Sequence, residues 1–168
     1  MKVLVAGFGN ILRGDDGFGV VVARRLLSEP VPDEVRVLEL GIGGIHLVQE
    51  LIDPVDALLV VDAVDLERAP GTVFVIRPTV PDVASMPLER RGDLLADMHY
   101  ATPERAFILA KGLGTLPEST WVVGCQPGDV DRLEEGLTAE VARAVAPAVD
   151  EVRRMVSSMG VSWPLAGS

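Results

Sequence analysis

The hydrophobic positions of the chain alternate between short continuous runs and longer segments with helical spacing. Residues 57–61 contain no polar side chain, as expected of a central parallel strand that is covered on both faces. The segment 35–39 alternates apolar and polar residues instead, which is typical of a strand with one exposed face. The strands predicted in this way are residues 2–6, 35–39, 57–61, 72–76 and 120–124.

Helical periodicity separates most of these strands. Phe18, Val22 and Leu26 recur at a spacing that places them on one face of a helix. The predicted helices are residues 17–28, 45–53, 103–112 and a last helix that begins at residue 138. Within that last helix, Pro147 is expected to introduce a kink or a division.

The order of these elements predicts the fold class. The connection between the third and fourth predicted strands is shorter than the roughly twelve residues that a parallel crossover needs, so we expect residues 72–76 to run antiparallel to the third strand. The chain is therefore predicted to be an α/β protein, a three-layer α/β/α domain with a mostly parallel, twisted, five-stranded sheet and one antiparallel strand. We assign residues 1–160 to this single domain and residues 161–168 to a short frayed tail. Residues 77–98 show little periodicity, and a loop of this length is usually functional or mobile.

Charge and cysteine content narrow the function classes. The 168 residues carry a net charge of −10, which disfavours a nucleic-acid partner and favours a cation or a basic segment. The single cysteine, Cys125, excludes an internal disulfide and fits a reducing compartment. The apolar N-terminal run is too short for a secretion signal or a membrane span, so we expect a cytoplasmic protein without a membrane partner.

The first predicted strand leads into a glycine-rich loop, residues 7–17, that contains Asp15 and Asp16. Ligands of open parallel sheets bind beyond the carboxyl ends of the strands, which makes this loop the first candidate site. Its Gly-x-Gly start is not followed by the third glycine of a dinucleotide-binding loop, because Leu12 stands there. Two carboxylates would also repel a pyrophosphate, so the loop is better suited to a cation.

Three side chains at predicted strand or loop ends form a candidate metal site. Asp15 is well placed to cap the following helix, which leaves Asp16 as the ligand. Asp62 ends the buried third strand, where a carboxylate needs a cation or several hydrogen-bond donors. His99 ends the long loop and precedes a helix. Two carboxylates and an imidazole suit nickel, zinc or cobalt better than magnesium or calcium.

Two further residues offer other interpretations. His46 falls early in a helical segment and is expected on the surface. Cys125 follows a strand and could act as a thiol nucleophile with His99 as its base, but no cationic residue flanks it to lower the thiol pKa. A non-enzymatic metal-binding or chaperone module that uses the same three ligands is one function that these residues allow.

Several motifs along the chain resemble those of one known family. The segment from Gly7 to Gly19 is similar to the N-terminal signature of the NiFe-hydrogenase maturation endopeptidases. Further segments that resemble this family are Glu39–Leu47, Val60–Ala63, Pro70–Thr72, His99 and Gly124–Pro127. The resemblance covers nearly the whole chain in the expected order, and it implies a phosphorylase/hydrolase-like α/β fold.

The resemblance also implies a function. Members of this family remove the C-terminal extension of a hydrogenase large-subunit precursor after nickel insertion, and they recognise the nickel that the substrate carries. The family's metal-binding positions fall on Asp16, Asp62 and His99, whose catalytic roles cannot be separated from metal binding. Water would be activated by the metal or by a carboxylate, as in an aspartyl-type endopeptidase. Zinc or another divalent ion is expected to bind the isolated protein in place of nickel.

The glycine loops after the first two strands are expected to let the precursor's tail approach the backbone closely. The substrate-binding residues predicted on this basis are Asn10, Gly41, Gly43 and Gly44. The chain departs from the family's usual pattern at Asp16, where glutamate is common. It also departs at Glu39–Gly44, where the family often has Asp-Gly-Gly-Thr-x-Gly. The second departure bears on which precursor is the substrate.

Overall fold

A five-stranded sheet organises the described part of the protein. The computed structural model describes residues 1–87, 89–90 and 102–165. The strands are β1 (Val3–Phe8), β2 (Val35–Gly41), β3 (Ala57–Ala63), β4 (Val73–Ile76) and β5 (Ser119–Cys125). They lie in the order β2-β1-β3-β5-β4.

The register places the strand ends at a common edge. Strand β1 pairs in parallel with β2 and β3, and β3 pairs in parallel with β5. Strand β4 pairs with β5 in the antiparallel direction, as the short connection from β3 predicts. Because β1, β2, β3 and β5 run in one direction, the loops that follow them meet at one edge, which we call the carboxyl edge of the sheet.

Helices cover both faces of this sheet. In the part of the chain that the structure describes, the helices packed on these faces are α1 (Phe18–Leu27), α2 (Gly44–Glu50), α3 (Pro103–Gly112) and α4 (Ala139–Ser158). One buried cluster joins α1 and α4 to one face, and a second joins α2 and α3 to the other. The predicted three-layer α/β/α class is confirmed.

Burial explains why the apolar run of β3 forms the centre of the sheet. Its side chains alternate between the two clusters, so that Leu58 and Val60 pack on the α2–α3 face and Leu59 and Val61 on the α1–α4 face. Every one of these positions is closed to solvent. A strand covered on both faces has no position that favours a polar residue until it reaches the edge, at Asp62.

The last helix and the C-terminal segment differ from the sequence prediction. Helix α4 runs without a break through Pro147, so the predicted division is wrong. Pro147 lies on the exposed side of α4, where water can satisfy the carbonyl group that loses its N–H partner. Residues 161–165 are not frayed as predicted, and residues 166–168 of the predicted tail lie outside the described residues. Val161 and Trp163 are buried, and the guanidinium of Arg153 lies 5.8 Å from the centroid of the Trp163 ring.

Within the described ranges, no helix has both the length and the apolar character that crossing a membrane requires.

Candidate active site

The loops that follow β1, β2 and β3 come together at the carboxyl edge. The end of β1 pairs on one side with β2, where Phe8 is opposite Gly41, and on the other side with β3, where Gly7 is opposite Val61. The backbone N–H of Gly9 donates to the carbonyl of Gly41 at 2.9 Å, which ties the first two loops together. Asp62, one residue beyond Val61, therefore lies beside the loop that carries Asp16.

Asp16 is held by the loop that contains it. It lies in a 3₁₀ turn, Gly14–Gly17, and its Oδ2 accepts the backbone N–H of Asn10 at 2.9 Å. Gly9 makes this fold-back possible, because its φ is +128° and a Cβ atom there would lie 1.7 Å from the carbonyl oxygen of Asp16. The glycine that suggested a phosphate loop thus serves to bring a carboxylate back over the end of β1.

Asp62 has a strongly perturbed acidity. Burial, and then the negative charge of Asp16, raise the pKa of Asp62 to about 8. The side chain keeps part of its surface open to solvent, although protein surrounds it on most sides. Its Oδ1 accepts the backbone N–H of Ala63 at 2.9 Å, which offsets only part of the shift. The structure thus brings the Asp16 and Asp62 carboxylates within electrostatic reach of each other.

This pair fits a cation. Two carboxylates in a partly desolvated place repel each other, and either a proton or a positive ion relieves the repulsion. His99, the third predicted ligand, lies outside the described residues, and its role stays a prediction. In the part of the chain that the structure describes, no three histidine, cysteine or acidic side chains converge on a point. The fit to a metal rests on the two carboxylates.

Asp15 is not the cap of its own helix. Its carboxyl group is fully buried and accepts four hydrogen bonds from the segment between β5 and α4. The donors are the backbone N–H groups of Gly128, Asp129 and Thr138, at 2.8, 2.9 and 2.6 Å, and the Thr138 hydroxyl, at 2.9 Å. Desolvation raises the pKa of Asp15, but these four donors outweigh it and hold the pKa below its ordinary value.

The predicted substrate-binding residues all lie at the carboxyl edge. The side-chain Oδ1 of Asn10 accepts the N–H of Leu12 at 3.0 Å, while its backbone positions Asp16. Gly41 has a φ of +57° at the end of β2, and Gly43 and Gly44 lead into α2. Their contact with substrate stays a prediction.

The other two candidates, His46 and Cys125, have different surroundings. His46 is exposed on α2, as predicted, and its Nε2 lies 3.1 Å from Oε1 of Glu50. Cys125 is fully buried, and burial together with the charge of Asp15 raises its thiol pKa to about 11. A buried thiol that stays protonated at neutral pH is a poor nucleophile, which disfavours the thiol mechanism.

Gln126 is a structural determinant of the site that the sequence reasoning missed. Its buried side chain holds the loop after β3, because Oε1 accepts the N–H groups of Leu66 and Arg68 at 2.8 and 3.1 Å. Its Nε2 donates to Oδ1 of Asp65 at 2.9 Å. The only signal in the sequence was its place in the strand-end motif Gly124–Pro127.

Comparison with known proteins assigns the family. The family model described as hydrogenase maturation protease, HycI, matches residues 20–155, which is most of the chain. The chain belongs to the hydrogenase maturation protease family. It is therefore a peptidase, and processing of the C-terminus of the hydrogenase large subunit is the role of this family.

Individual members of the hydrogenase maturation protease family align along nearly the whole chain. It is 33% identical to the hydrogenase expression/formation protein HupD of Bradyrhizobium diazoefficiens, over 99% of this chain and 86% of that protein. It is 30% identical to the hydrogenase 2 maturation protease of Escherichia coli K12, over 96% and 94%. The solved structure of the maturating endopeptidase HybD from E. coli is 26% identical, with a TM-score of 0.77 and 96% of each chain covered.

Proposed function

We propose that this protease removes the C-terminal extension of a hydrogenase large-subunit precursor after nickel insertion, and that it recognises the nickel bound in its substrate. The observation that carries the proposal is the Asp16–Asp62 pair at the carboxyl edge. A pair of mutually repelling carboxylates at the point where four parallel strands end is suited to receive a cation that arrives with another molecule. His99 is proposed as the third ligand.

Asp62 is proposed to act on water as well as on the metal. A carboxyl group with a pKa of about 8 exchanges its proton near neutral pH, which is the property that a general acid or base needs. Two neighbouring carboxyls that share a proton are the basis of aspartyl-type peptidases. Nickel in the substrate would polarise the carbonyl group of the scissile peptide.

The partner is proposed to be the folded precursor, not a short peptide alone. Exposed apolar side chains stand around Asp16 and Asp62, on the loops after β1, β2 and β3 and on the first turn of α2. We call this set the apolar rim, and its members are Leu12, Ile42, Ile45 and Leu66. Apolar side chains that surround a polar cleft provide buried contact area when a protein surface closes over it. The positive φ of Gly41 beside the rim lets an extended tail pass close to the backbone.

The proposed compartment is the cytoplasm. The chain has a single cysteine, which is buried and free, and this usage fits a reducing environment.

The test is to incubate the purified protein with the nickel-loaded large-subunit precursor from the same genome and to weigh the products. Loss of a C-terminal peptide is expected with the wild-type protein and not with Asp62→Asn or His99→Ala. Circular dichroism of both variants should match the wild type. Normal processing by either variant would contradict the assignment of the site.

The same experiment separates the protease from a chaperone. A stable complex with the nickel-loaded precursor, without a change in the precursor's mass, would support the alternative of a metal-binding module. Precursor without nickel is the matched control, because recognition of the metal predicts that it stays uncut.

A further inference from the structure

A row of three residues crosses the sheet next to the proposed catalytic pair. Asp62 on β3 is opposite Gly124 on β5, and Gly124 is opposite Phe74 on β4. Residues opposite each other in a sheet point to the same face, here the face covered by α2 and α3. A Cβ atom at position 124 would lie 2.4 Å from the Phe74 ring, so this ring occupies the space over Gly124. The Phe74 ring is thus the next side chain after Asp62 along this row.

Arg68 covers that ring. Its guanidinium carbon lies 5.2 Å from the centroid of the Phe74 ring, within the range of a cation–π interaction. The side chain is exposed, and among residues 1–87, 89–90 and 102–165 no carboxylate forms an ion pair with it. Other arginines on the loops of the carboxyl edge are neutralised, since Arg13 pairs with Asp131 and Arg132 with Glu134. Among the described residues, Arg68 differs from them in keeping its charge uncompensated, on the loop that follows Asp62.

The backbone of Arg68 is fixed although its side chain is exposed. The side chain of Gln126 accepts the N–H of Arg68 and holds Asp65 in the same loop. Glu67, between them, has a φ of +56°, a conformation that residues other than glycine adopt only when surrounding contacts impose it. A buried glutamine with four hydrogen bonds thus fixes the backbone from which the Arg68 side chain reaches over the Phe74 ring.

We propose that Arg68 is a specificity-determining residue that binds a carboxylate of the precursor within about four residues of the cleaved bond. This inference rests on the proposed function. Arg68 covers the ring of Phe74, which lies two strand spacings, or roughly 10 Å, from Asp62 across the sheet. An extended peptide spans this distance in about three residues. The guanidinium offers a planar pair of N–H donors that matches a carboxylate. It also offsets the repulsion that Asp16 and Asp62 exert on an acidic substrate segment.

The experiment measures kcat and KM for cleavage of the nickel-loaded precursor. Loss of a charge-assisted hydrogen bond predicts that Arg68→Gln raises KM about 10-fold with little change in kcat. The KM of Arg68→Lys should lie between those of the wild type and Arg68→Gln, because lysine keeps the charge and loses the paired donors. Arg143→Gln is the matched control, since Arg143 is an exposed arginine on α4, on the other side of the sheet, and it should leave KM unchanged.

The recognised carboxylate could belong to an Asp or Glu side chain of the precursor or to its C-terminus, and two sets of precursor variants distinguish these sources. In the first, each Asp or Glu within four residues of the cut is replaced by Asn or Gln. In the second, two residues are added at the C-terminus, which moves the terminal carboxylate away. The variant that removes the recognised group should raise KM for the wild-type protein and not raise it further for Arg68→Gln. Equal KM values for Arg68→Gln and the wild type on the unaltered precursor would overturn the inference.

Failure of this inference can be told from failure of the proposed function. If the wild-type protein cuts the precursor and Arg68→Gln cuts it with the same KM, only the role of Arg68 is wrong. If the wild-type protein leaves the mass of the precursor unchanged, the proposed function is wrong, and the dissociation constant of the precursor then decides the role of Arg68. A 10-fold weaker complex with Arg68→Gln would support it, and an equal one would overturn it.

Discussion

The carboxylate of Asp15 accepts both the backbone N–H and the hydroxyl of Thr138, at 2.6 and 2.9 Å, and so joins the loop after β1 to the start of α4. Its neighbour Asp16 faces the other way, towards Asn10 and Asp62. Two adjacent acids of the same type thus have separate surroundings: Asp15 maintains the architecture of the carboxyl edge, and Asp16 belongs to the candidate site.

Replacing Asp15 should therefore damage stability. In Asp15→Asn an NH₂ group faces backbone N–H donors, and it cannot accept their hydrogen bonds. Loss of this buried, charged acceptor should lower the unfolding free energy by about 2–4 kcal/mol. Urea unfolding at pH 7 measures the change. Asp16→Asn is the matched control, because an amide oxygen can still accept the N–H of Asn10. It should lower the unfolding free energy by less than about 1 kcal/mol and abolish cleavage. Equal stability of the two variants would contradict this division of roles.

The raised pKa of Asp62 predicts an unusual pH dependence of stability in metal-free buffer. The folded state holds the Asp62 proton up to about pH 8, whereas the unfolded chain releases it near pH 4. The folded protein therefore binds more protons between these values, and its unfolding free energy falls as the pH rises through this window. Solvent access and relaxation reduce the effect, so we expect a loss of about 1–3 kcal/mol between pH 5 and pH 8.

The control for this effect is Asp62→Asn, whose unfolding free energy should change less over the same pH range and exceed that of the wild type at pH 8. Urea titrations at pH 5, 6.5 and 8 provide the comparison. Parallel curves for the two proteins would show that Asp62 is not the group responsible. Measurements start at pH 5 because the lowered pKa of Asp15 adds the opposite dependence only at more acidic pH.

A divalent ion should stabilise the isolated protein through the same pair. If 1 mM nickel or zinc is about ten times the dissociation constant, binding to the folded state raises the unfolding free energy by roughly 1.4 kcal/mol. Thermal unfolding with and without the ion, followed by removal of the ion with a chelator, measures this. The increase should be smaller in Asp16→Asn, Asp62→Asn and His99→Ala. An equal increase in all four proteins would place the ion elsewhere.

Gly9 should not tolerate a side chain. Gly9→Ala puts a methyl group where the carbonyl of Asp16 lies and imposes a φ of +128° on a residue that disfavours it. Displacement of the loop should lower stability by about 2 kcal/mol or more and reduce kcat/KM for the precursor. Gly112→Ala is the control, because a Cβ atom there meets no other atom within 4 Å. It should unfold at the same urea concentration as the wild type or a higher one.

The apolar rim should matter for the precursor and not for folding. Ile42→Ser and Ile45→Ser remove exposed side chains, so their unfolding free energies should stay within about 0.5 kcal/mol of the wild type. Their KM for the precursor should rise several-fold, because the contact area is lost only in the complex. Ile52→Ser and Leu113→Ser are matched controls, since these exposed side chains lie at the opposite edge of the sheet. An equal rise in KM for both pairs would rule out a docking role for the rim.

Much of the fold could be predicted from hydrophobic periodicity alone. The five strands and their helices appear where the pattern places them, and the short connection before β4 fixes its antiparallel direction. The position of Asp62 could also be predicted, because an acid that directly follows a fully apolar strand must lie at an edge of the sheet. These features depend on residues that are close in sequence, which is why local rules were sufficient.

The sequence by itself therefore determined the fold class and placed Asp16 and Asp62 at one edge. Only the tertiary structure decided which acid of the pair is structural, since the partners of Asp15 are 113 to 123 residues further along the chain. The same holds for Gln126, which holds a loop 58 to 61 residues before it, and for Trp163, which packs on Arg153 instead of fraying. Hydrogen bonds and packing between distant segments leave no periodic trace in a sequence, because they depend on how the elements assemble.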